Sequence, residues 1–372
     1  MAGGGFGACY GLNNFNIRRS MAPLQDLSPT GASSGPRTFA PCAPIALGDD
    51  EWSRGAFGSV FVVDGPSGKM AVKRVSESVE YANRELETCT RLASDDHPHI
   101  VDLIGYWTED ASPTTRVLYL VMGFMPDTLG GVLARLVANE MRMREWRMIA
   151  LMRQLAGALE HLESIGLMHR DLKPDNILVH LPSNQLRLAD FGSAKFVSPN
   201  QPNATYICTR FYRAPELILN RTLYSTSIDV WAFGCILGEF AKGGPLFPGE
   251  TQSDVLSRIM RTRGMVTMGD IARMPTHNTA DTLNTEGIGV GLDLAPRPWS
   301  RVFTRRIRNK RLITSYGQRY ETALDGCLQW NPSRRMTASA LRRCALFANA
   351  RGGNCGGGRT TPNENDVNMT PM

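Results

Sequence analysis

The most informative part of the chain is His169-Arg170-Asp171-Leu172-Lys173-Pro174-Asp175-Asn176, with Asp190-Phe191-Gly192 fourteen residues beyond Asn176. Its polar residues are the types that phosphoryl transfer needs. Asp171 can accept the proton of an attacking hydroxyl, and Lys173 can neutralise charge on the transferred phosphate. Asn176 and Asp190 supply hard oxygen ligands for Mg²⁺. Because the order, the spacing and the flanking apolar strands agree, we interpret these residues as a catalytic centre.

Upstream, Ser53-Arg54-Gly55-Ala56-Phe57-Gly58-Ser59-Val60 fits most of a GxGxxGxV turn between two strands. Glycines in such a turn let the backbone approach triphosphate oxygens closely. Ser53 stands at the first position of the pattern in place of glycine. A Gly-rich hairpin without a ligand is therefore the alternative interpretation.

Lys73 ends the short apolar strand Met70-Ala71-Val72-Lys73, and Glu85 follows twelve residues later on an amphipathic helix. A Lys–Glu pair between strand and helix would hold the lysine against the α- and β-phosphates of a nucleotide. The alternative is an ordinary edge lysine.

Three further residues are predicted to brace the fold rather than to do chemistry. Glu216 in Ala214-Pro215-Glu216 and Arg335 near the C-terminal end are expected to form a buried ion pair. Asp229 lies at the start of a helix and has the same structural interpretation.

Composition excludes several classes of protein. The 372 residues are 42% hydrophobic and 20% charged, which excludes a wholly disordered or fibrous chain. A net charge of +6 does not indicate nucleic acid or a membrane as the partner. The eight cysteines form no CxxC pair, so we expect reduced thiols, as in the cytoplasm or nucleus. No apolar run is long enough to span a bilayer, and no signal peptide is recognisable.

The chain divides into three regions. Residues 1–45 are expected to be a flexible leader rich in Gly, Ser and Pro, residues 46–348 a catalytic domain, and residues 349–372 a flexible polar tail. Short β-rich runs are predicted at Val60–Val63, Met70–Val75 and Leu118–Met122. Helical patterns follow at Ser78–Leu92, Leu129–Ala138, Trp146–Ile165, Val230–Lys242, Thr251–Thr262, Arg319–Gln329 and Thr337–Phe347. This pattern predicts an α+β fold with two lobes, at about 46–123 and 126–348, and a cleft between them.

With these motifs in place, residues 46–348 resemble the eukaryotic protein kinases, and Lys173 after Asp171 follows the pattern of the Ser/Thr kinases. The resemblance implies a bilobal protein-kinase fold that transfers the γ-phosphate of ATP to Ser or Thr of protein substrates, with Mg²⁺ as the cofactor. A finer resemblance is to the glycogen synthase kinase-3 (shaggy) family of the CMGC group. It is carried by Asn83-Arg84-Glu85-Leu86, VMGFMPDT at 121–128, DFGSAK at 190–195, YICTRFYRAPE at 206–216 and RPWSRVF at 297–303.

The resemblance also implies an ATP site. Met122 corresponds to the gatekeeper, Phe124 and Met125 to the adenine-binding hinge, and three apolar side chains to the walls around the ring. The full expected set is Gly55, Phe57, Gly58, Val60, Ala71, Lys73, Met122, Phe124, Met125 and Leu178. Gly123 departs from the family, which usually has an acidic residue at that hinge position.

In that family, three basic side chains receive a phosphate already present on the substrate, four residues C-terminal to the target. The matching positions are Arg84, Arg170 and Lys195. Three cations converging on a dianion form charge-assisted hydrogen bonds. Tyr206 matches the activation-segment tyrosine that such kinases phosphorylate on themselves. The resemblance further implies scaffold proteins as partners, although the insert at 266–296 matches the family poorly.

Four alternatives stay open at this point. One is a cyclin-dependent or MAP-kinase-like CMGC kinase without priming, although no PSTAIRE-like helix surrounds Glu85 and no Thr-x-Tyr pair precedes Ala214. Another is a weakly active kinase scaffold, which Ser53 alone favours. A third is nucleic-acid binding through residues 301–311, where six of eleven are Lys or Arg. The last is an inhibitory role for Ser20 in the leader.

Overall fold

A computed structural model describes residues 41–48, 51–55, 58–66, 68–78, 84–198, 201–274, 295–303, 310–348 and 369–371. Several predictions fall outside these ranges. They concern the leader up to residue 40 with Ser20, the loop residue Phe57, most of the insert at 266–296, the middle of the basic run at 301–311, and most of the tail. Among the described residues, no helix is both long and apolar enough to cross a membrane.

The N-terminal lobe is built on a five-stranded antiparallel sheet with the order β1-β2-β3-β5-β4. Its strands are β1 (Glu51–Gly55), β2 (Gly58–Gly65), β3 (Gly68–Ser78), β4 (Leu103–Asp110) and β5 (Thr115–Gly123). The three predicted β-runs lie inside β2, β3 and β5. Strands β1 and β4 are additions that the sequence pattern does not predict, because β1 has one apolar side chain and the apolar residues of β4 do not alternate with polar ones.

Helix α1 (Arg84–Ala93) follows β3 and packs against the segment Phe191–Ser193. The expected helix from Ser78 is wrong at its start, since Ser78 still pairs with Thr115 as the last residue of β3. The buried residues of α1 recur at helical spacing, at Glu85, Thr88, Cys89 and Leu92. A polar residue, Glu85, therefore lies on the face that the amphipathic pattern buries.

The outer face of the N-terminal sheet is covered by the end of the leader. Cys42 donates its backbone N–H to the Tyr106 carbonyl at 2.8 Å, and Ile45 is buried in an apolar cluster with Trp107 and Tyr119. The Trp107 and Tyr119 rings stack with centroids 4.5 Å apart. Packing against the sheet thus begins before the predicted boundary at residue 46.

The C-terminal lobe contains the remaining helices. They are α2 (Leu129–Ala138), α3 (Glu145–Ser164), α4 (Pro215–Ile218), α5 (Ser227–Lys242), α6 (Gln252–Arg263), α7 (Met268–Ala272), α8 (Trp299–Val302), α9 (Lys310–Cys327) and α10 (Ala338–Arg342). Helix α2 has the predicted bounds and begins where the Thr128 hydroxyl accepts the Gly131 N–H. Helix α10 is shorter than predicted and ends at Arg342 rather than Phe347.

Helix α5 is the centre of this lobe. Fourteen of its sixteen residues are buried, so the helix is enclosed by the core around its whole circumference. It ends at Gly243, whose φ of 78° is the left-handed conformation that glycine adopts without strain. Asp229 in its first turn is one of its few charged residues.

The C-terminal lobe also contains short strands, some of which flank the catalytic loop. They are β6 (Asp127–Thr128), β7 (Met141–Met143), β8 (Leu167–Met168), β9 (Ile177–His180), β10 (Gln185–Leu188), β11 (Lys195–Phe196) and β12 (Met369–Pro371). Strands β10, β9 and β6 form one sheet, β11 pairs with β8, and β12 pairs with β7. The catalytic loop therefore lies between β8 and β9, and Asp190 follows β10 directly.

The two lobes are joined behind the cleft. After α1, His99 accepts the Leu188 N–H at 2.8 Å, and Leu188 accepts the Val101 N–H at 2.9 Å. The segment that leaves the N-terminal helix is thus bonded to the strand that leads to Asp190.

The predicted pair of Glu216 and Arg335 forms at the base of the C-terminal lobe. Two guanidinium nitrogens donate to the two carboxylate oxygens at 2.6 Å each, and the side chains are 0% and 1% exposed. This bidentate pair joins residues 119 positions apart in the sequence and holds the start of α4 against the loop before α10.

We expect Arg335→Met to lower the free energy of unfolding by about 3–5 kcal/mol, because the Glu216 carboxylate would stay buried without its partner. Arg343→Ala serves as the control, since Arg343 pairs with Glu160 at 3.4 Å on the surface and should cost under about 1 kcal/mol. Urea unfolding followed by circular dichroism measures both variants. Equal losses would contradict a dominant role for the buried pair.

Candidate active site

Lys73, Glu85 and Asp190 meet at the back of the cleft. The Lys73 Nζ lies 2.6 Å from Glu85 Oε1 and 2.8 Å from Asp190 Oδ1, and Lys73 and Glu85 are buried. Burial would lower the pKa of Lys73, but the two carboxylates outweigh it and raise that pKa, so the ammonium stays charged. Burial raises the pKa of Glu85 against the opposing charge of Lys73. The predicted strand–helix pair therefore forms, and Asp190 joins it.

Asp190 takes its position from its backbone and from the next residue. Its φ is +64°, an uncommon conformation for a residue with a side chain. Phe191 is fully buried, and its ring packs edge-on against the His169 ring with centroids 5.1 Å apart. The His169 Nε2 lies 3.0 Å from the Ala189 carbonyl. These contacts fasten the segment at Asp190 to the catalytic loop.

Asp229 fixes the catalytic loop through hydrogen bonds to the loop backbone. Its carboxylate accepts the backbone N–H groups of His169 and Arg170 at 2.8 and 3.0 Å. Arg170 has a φ of +68°, and the two bonds hold the loop in this strained turn. The structural role predicted for Asp229 agrees with these contacts.

Asp171 is surrounded by hydrogen-bond donors. Lys173 Nζ donates to Oδ2 at 2.7 Å, and the backbone N–H and hydroxyl of Thr209 donate to Oδ1 at 2.8 and 2.9 Å. Burial raises the pKa of Asp171, but the bonds from Lys173 and Thr209 outweigh it and hold that pKa below its usual value. The carboxylate is ionised at neutral pH and can accept a proton.

Asn176 and Asp190 fit the oxygen ligands expected for Mg²⁺. Asn176 donates its amide N–H to the Asp171 carbonyl at 2.8 Å, which leaves its carbonyl oxygen as an acceptor. Among the described residues, no group of three or more His, Cys, Asp or Glu could hold a metal alone. A site of two protein oxygens completed by substrate phosphates is the usual arrangement for Mg²⁺, so the residues present fit it.

The residues expected around the nucleotide line up across neighbouring strands. Val60 on β2 pairs with Lys73, Ala71 on β3 pairs with Met122, and Leu178 lies on β9. They belong to strands of both lobes, as the walls of an interlobe pocket must.

The Gly-rich turn has one position that only glycine can occupy. Gly58 has a φ of +132°, and a Cβ there would lie 2.1 Å from the Arg74 carbonyl oxygen. Gly55 pairs with Gly58 across the turn, and Ser53 pairs with Val60 next to an irregularity in β1. Phe57 lies outside the described residues. At the mouth of the cleft, the Phe124 ring contacts Trp52 edge-on at 5.6 Å.

Of the three predicted cations, Lys195 lies within electrostatic range of both Arg84 and Arg170. Arg84 begins α1, Arg170 lies in the catalytic loop, and Lys195 begins β11. Burial lowers the pKa of Lys195, and repulsion from Arg170 and Arg84 lowers it further. A hydrogen bond from Arg170 Nε to the Ser193 carbonyl, at 2.6 Å, orients the Arg170 side chain. Lys195 donates to Asn203 Oδ1 at 2.6 Å. We call these three residues the cationic cluster.

Tyr206 is 73% exposed, and the guanidinium of Arg213 lies 4.7 Å from its ring centroid. Arg213 donates to the Cys208 carbonyl at 2.9 Å, while its Nε and Nη1 are buried without a hydrogen-bond partner. Unpartnered buried donors are costly, which makes this a place where an anion is favoured.

Sequence reasoning misses three residues that the structure brings to the site. Thr209 reaches Asp171 from 38 positions away, Asn203 orients Lys195, and Arg213 lies beside Tyr206. Thr209 and Arg213 are inside the quoted motif YICTRFYRAPE, so their position in it was the available signal. Asn203 has no comparable local signal.

Comparison with known proteins agrees with this geometry. The chain matches the family described as Protein kinase domain over residues 51–347. It is 34% identical over 290 residues to a protein named Protein kinase gsk3 from Schizosaccharomyces pombe, a match that covers 77% of this chain and 69% of that protein. The chain therefore belongs to the protein kinase family, and it is a Ser/Thr protein kinase. Within that family it is a glycogen synthase kinase-3-like member of the CMGC group.

These findings confirm the predicted resemblance, the bilobal fold and the enzyme class. Members of the family generally use ATP with Mg²⁺ and act on protein substrates.

We expect Thr209→Ala to lower the kcat of phosphate transfer to a Ser/Thr peptide about tenfold or more, because Asp171 loses a hydrogen bond to its charged form. That bond helps to lower the pKa of Asp171, so its loss raises the pKa. The acid limb of the pH–rate profile therefore moves to higher pH.

Thr209→Ser keeps the hydroxyl and is the matched control, which should restore both kcat and the acid limb. Steady-state kinetics between pH 5 and 9 compare the three proteins. An unchanged acid limb in Thr209→Ala would contradict the role of this bond.

Proposed function

We propose that this kinase transfers the γ-phosphate of ATP to Ser or Thr of protein substrates that already carry a phosphate four residues C-terminal to the target. The observation that carries this proposal is that Lys195 lies within electrostatic range of both Arg84 and Arg170, the latter in the catalytic loop. Arg170 and Arg84 both repel the Lys195 ammonium, and a dianionic phosphate would relieve that repulsion. It would also accept charge-assisted hydrogen bonds from them.

The transfer step follows from the contacts of Asp171 and Lys173. The substrate hydroxyl gives its proton to Asp171 while its oxygen forms a bond to the γ-phosphorus and the bond to the β-phosphate oxygen breaks. ADP leaves with the electron pair of that bond. Lys173, 2.7 Å from Asp171, is placed to neutralise charge on the transferred group. Lys73 orients the α- and β-phosphates while Glu85 holds it in place.

The nucleotide site is proposed to comprise the glycines of the β1–β2 turn, the apolar walls and the hinge. Its members are Gly55, Phe57, Gly58, Val60, Ala71, Lys73, Met122, Phe124, Met125 and Leu178. Asn176 and Asp190 would hold Mg²⁺, which when bound neutralises the phosphate charge.

The wider assignment has three parts. Residues 46–348 form the catalytic domain in this proposal, with the leader and the tail on either side. Scaffold proteins are proposed as further partners. The cytoplasm, with the nucleus as a second compartment, is the proposed location.

The test compares peptides that carry Ser-x-x-x-pSer with the same peptides carrying Ser-x-x-x-Ser, using labelled ATP. We expect the wild type to favour the primed peptide in kcat/KM by about a hundredfold or more, since one charged hydrogen-bonded contact alone contributes about 1.5–3 kcal/mol and about 1.4 kcal/mol is a factor of ten. Arg84→Ala should lose most of that preference and keep its activity on the unprimed peptide.

Arg116→Ala removes an exposed arginine of the same lobe, paired with Asp110 at 3.1 Å, and should keep the preference. Lys73→Met and Asp190→Ala should transfer no phosphate to either peptide. Equal wild-type rates on both peptides would overturn the priming preference and favour an unprimed CMGC kinase. Transfer by Lys73→Met would overturn the assigned ATP site.

We also propose that the kinase phosphorylates Tyr206 on itself. The exposed ring and the unpartnered nitrogens of Arg213 support this, because a phosphate on Tyr206 would supply acceptors for them.

A tryptic phosphopeptide map should show phosphate on the Tyr206 peptide in recombinant wild type and none in Lys73→Met. Tyr206→Phe should lower the kcat on the primed peptide, since the activation segment (residues 190–216) loses the contact between the Tyr206 phosphate and Arg213. A wild-type map without phosphate on Tyr206 would retire this proposal and leave the Ser/Thr kinase activity unaffected.

A further inference from the structure

A cavity of about 350 Å³ lies next to the cationic cluster, between the start of the activation segment and the loop before α5. We infer that it receives an aliphatic side chain of the substrate, one or two positions C-terminal to the primed phosphate. This inference rests on the proposed priming function and deepens it. It assigns the kinase a second specificity determinant beyond the phosphate.

The cavity is continuous with the cationic cluster through two of its lining residues. Asn203, which is 7% exposed, accepts the Lys195 ammonium at 2.6 Å and lines the cavity. Tyr224 also lines it and accepts a hydrogen bond from Arg170 at 3.3 Å. Both residues are held in place by further hydrogen bonds, since Asn203 donates to the Thr222 carbonyl and Tyr224 donates to the Ala204 carbonyl. The wall shared with the cluster is therefore rigid.

The direction of the substrate chain also leads to this cavity. The target hydroxyl lies at Asp171, and the primed phosphate, four residues later, lies at the cationic cluster. Two lining residues of the cavity, Asn203 and Tyr224, accept hydrogen bonds from Lys195 and Arg170, so the cavity adjoins the phosphate end of the substrate. An extended chain advances about 3.3–3.6 Å per residue. The side chain at position +5 or +6 is thus within reach of a cavity whose wall bonds directly to the phosphate-binding cations.

The chemistry of the lining selects an uncharged occupant. Val197, Leu223 and Pro332 provide apolar walls, and four serines provide neutral hydroxyls. The acid of the lining, Glu216, is already neutralised by its bidentate bond to Arg335. A charged substrate side chain would lose water there without gaining a partner, whereas an aliphatic one would bury apolar surface.

The experiment measures kcat/KM for primed peptides that carry Ala, Leu, Glu or Lys at position +5 and, in a second series, at position +6. In one of the two series, we expect kcat/KM for the Leu peptide to exceed that for the Ala peptide by about fivefold or more. This ratio is below the range for a fully enclosed pocket, because the cavity is open on one side. Glu and Lys should fall below Ala. The same peptides are also assayed without the primed phosphate.

Val197→Asp places a charge at an exposed lining position and should abolish the preference for Leu while keeping the preference for primed over unprimed peptides. Val137→Asp is the matched control, because Val137 on α2 is 39% exposed against 37% for Val197. It should keep both preferences.

Equal rates for Ala and Leu in both series, with the priming preference intact, would overturn the cavity assignment alone. Retention of the Leu preference in Val197→Asp would overturn it as well, whereas a primed-to-unprimed ratio of one on the Ala peptide would overturn the proposed function.

Discussion

The carboxylate of Asp229 accepts two backbone N–H groups of the catalytic loop, from His169 and Arg170, inside a core of low polarity. Burial raises the pKa of this carboxyl, and His169 and the two N–H donors act against that rise. Because α5 is surrounded by core on all sides, the carboxylate has a fixed position. The loop is built on it, so the direction of Asp171 and of the Arg170 side chain both depend on these two hydrogen bonds. Losing them would disturb the candidate proton acceptor and the cationic cluster together.

Helix α1 links the two halves of the candidate site. Glu85 and Arg84 are neighbours on its first turn, and Glu85 faces Lys73 while Arg84 is exposed toward Lys195. A position of α1 that makes the buried Lys–Glu pair therefore also brings Arg84 to the cationic cluster. In the proposed function, a phosphate bound there would favour the same position of α1. The primed substrate would then help to complete the pair that orients the nucleotide.

Local patterns predicted the residues that act within a few positions of one another. The catalytic loop, the strand that carries Lys73 and the bounds of α2 all follow from spacing and periodicity, because each depends on neighbours in the sequence. Strand β1 is not predicted because Trp52 is its one apolar side chain, and only pairing with β2 makes it a strand. The predicted start of α1 is too early because residues 76–78 are all polar and carry no apolar alternation, so that only pairing with β5 makes them part of β3.

The sequence alone determined which chemical groups are available. In chain order they are Lys73, Glu85, Asp171, Lys173, Asn176 and Asp190, an order typical of the protein kinases. Tertiary structure decided which distant groups meet. Thr209 donates to Asp171 across 38 positions, and Lys73 reaches Asp190 across 117. The cavity beside the cationic cluster is lined from four separate segments. Such contacts depend on how β3, α1, α5 and the activation segment pack, and packing is a property of the whole core that no local pattern contains.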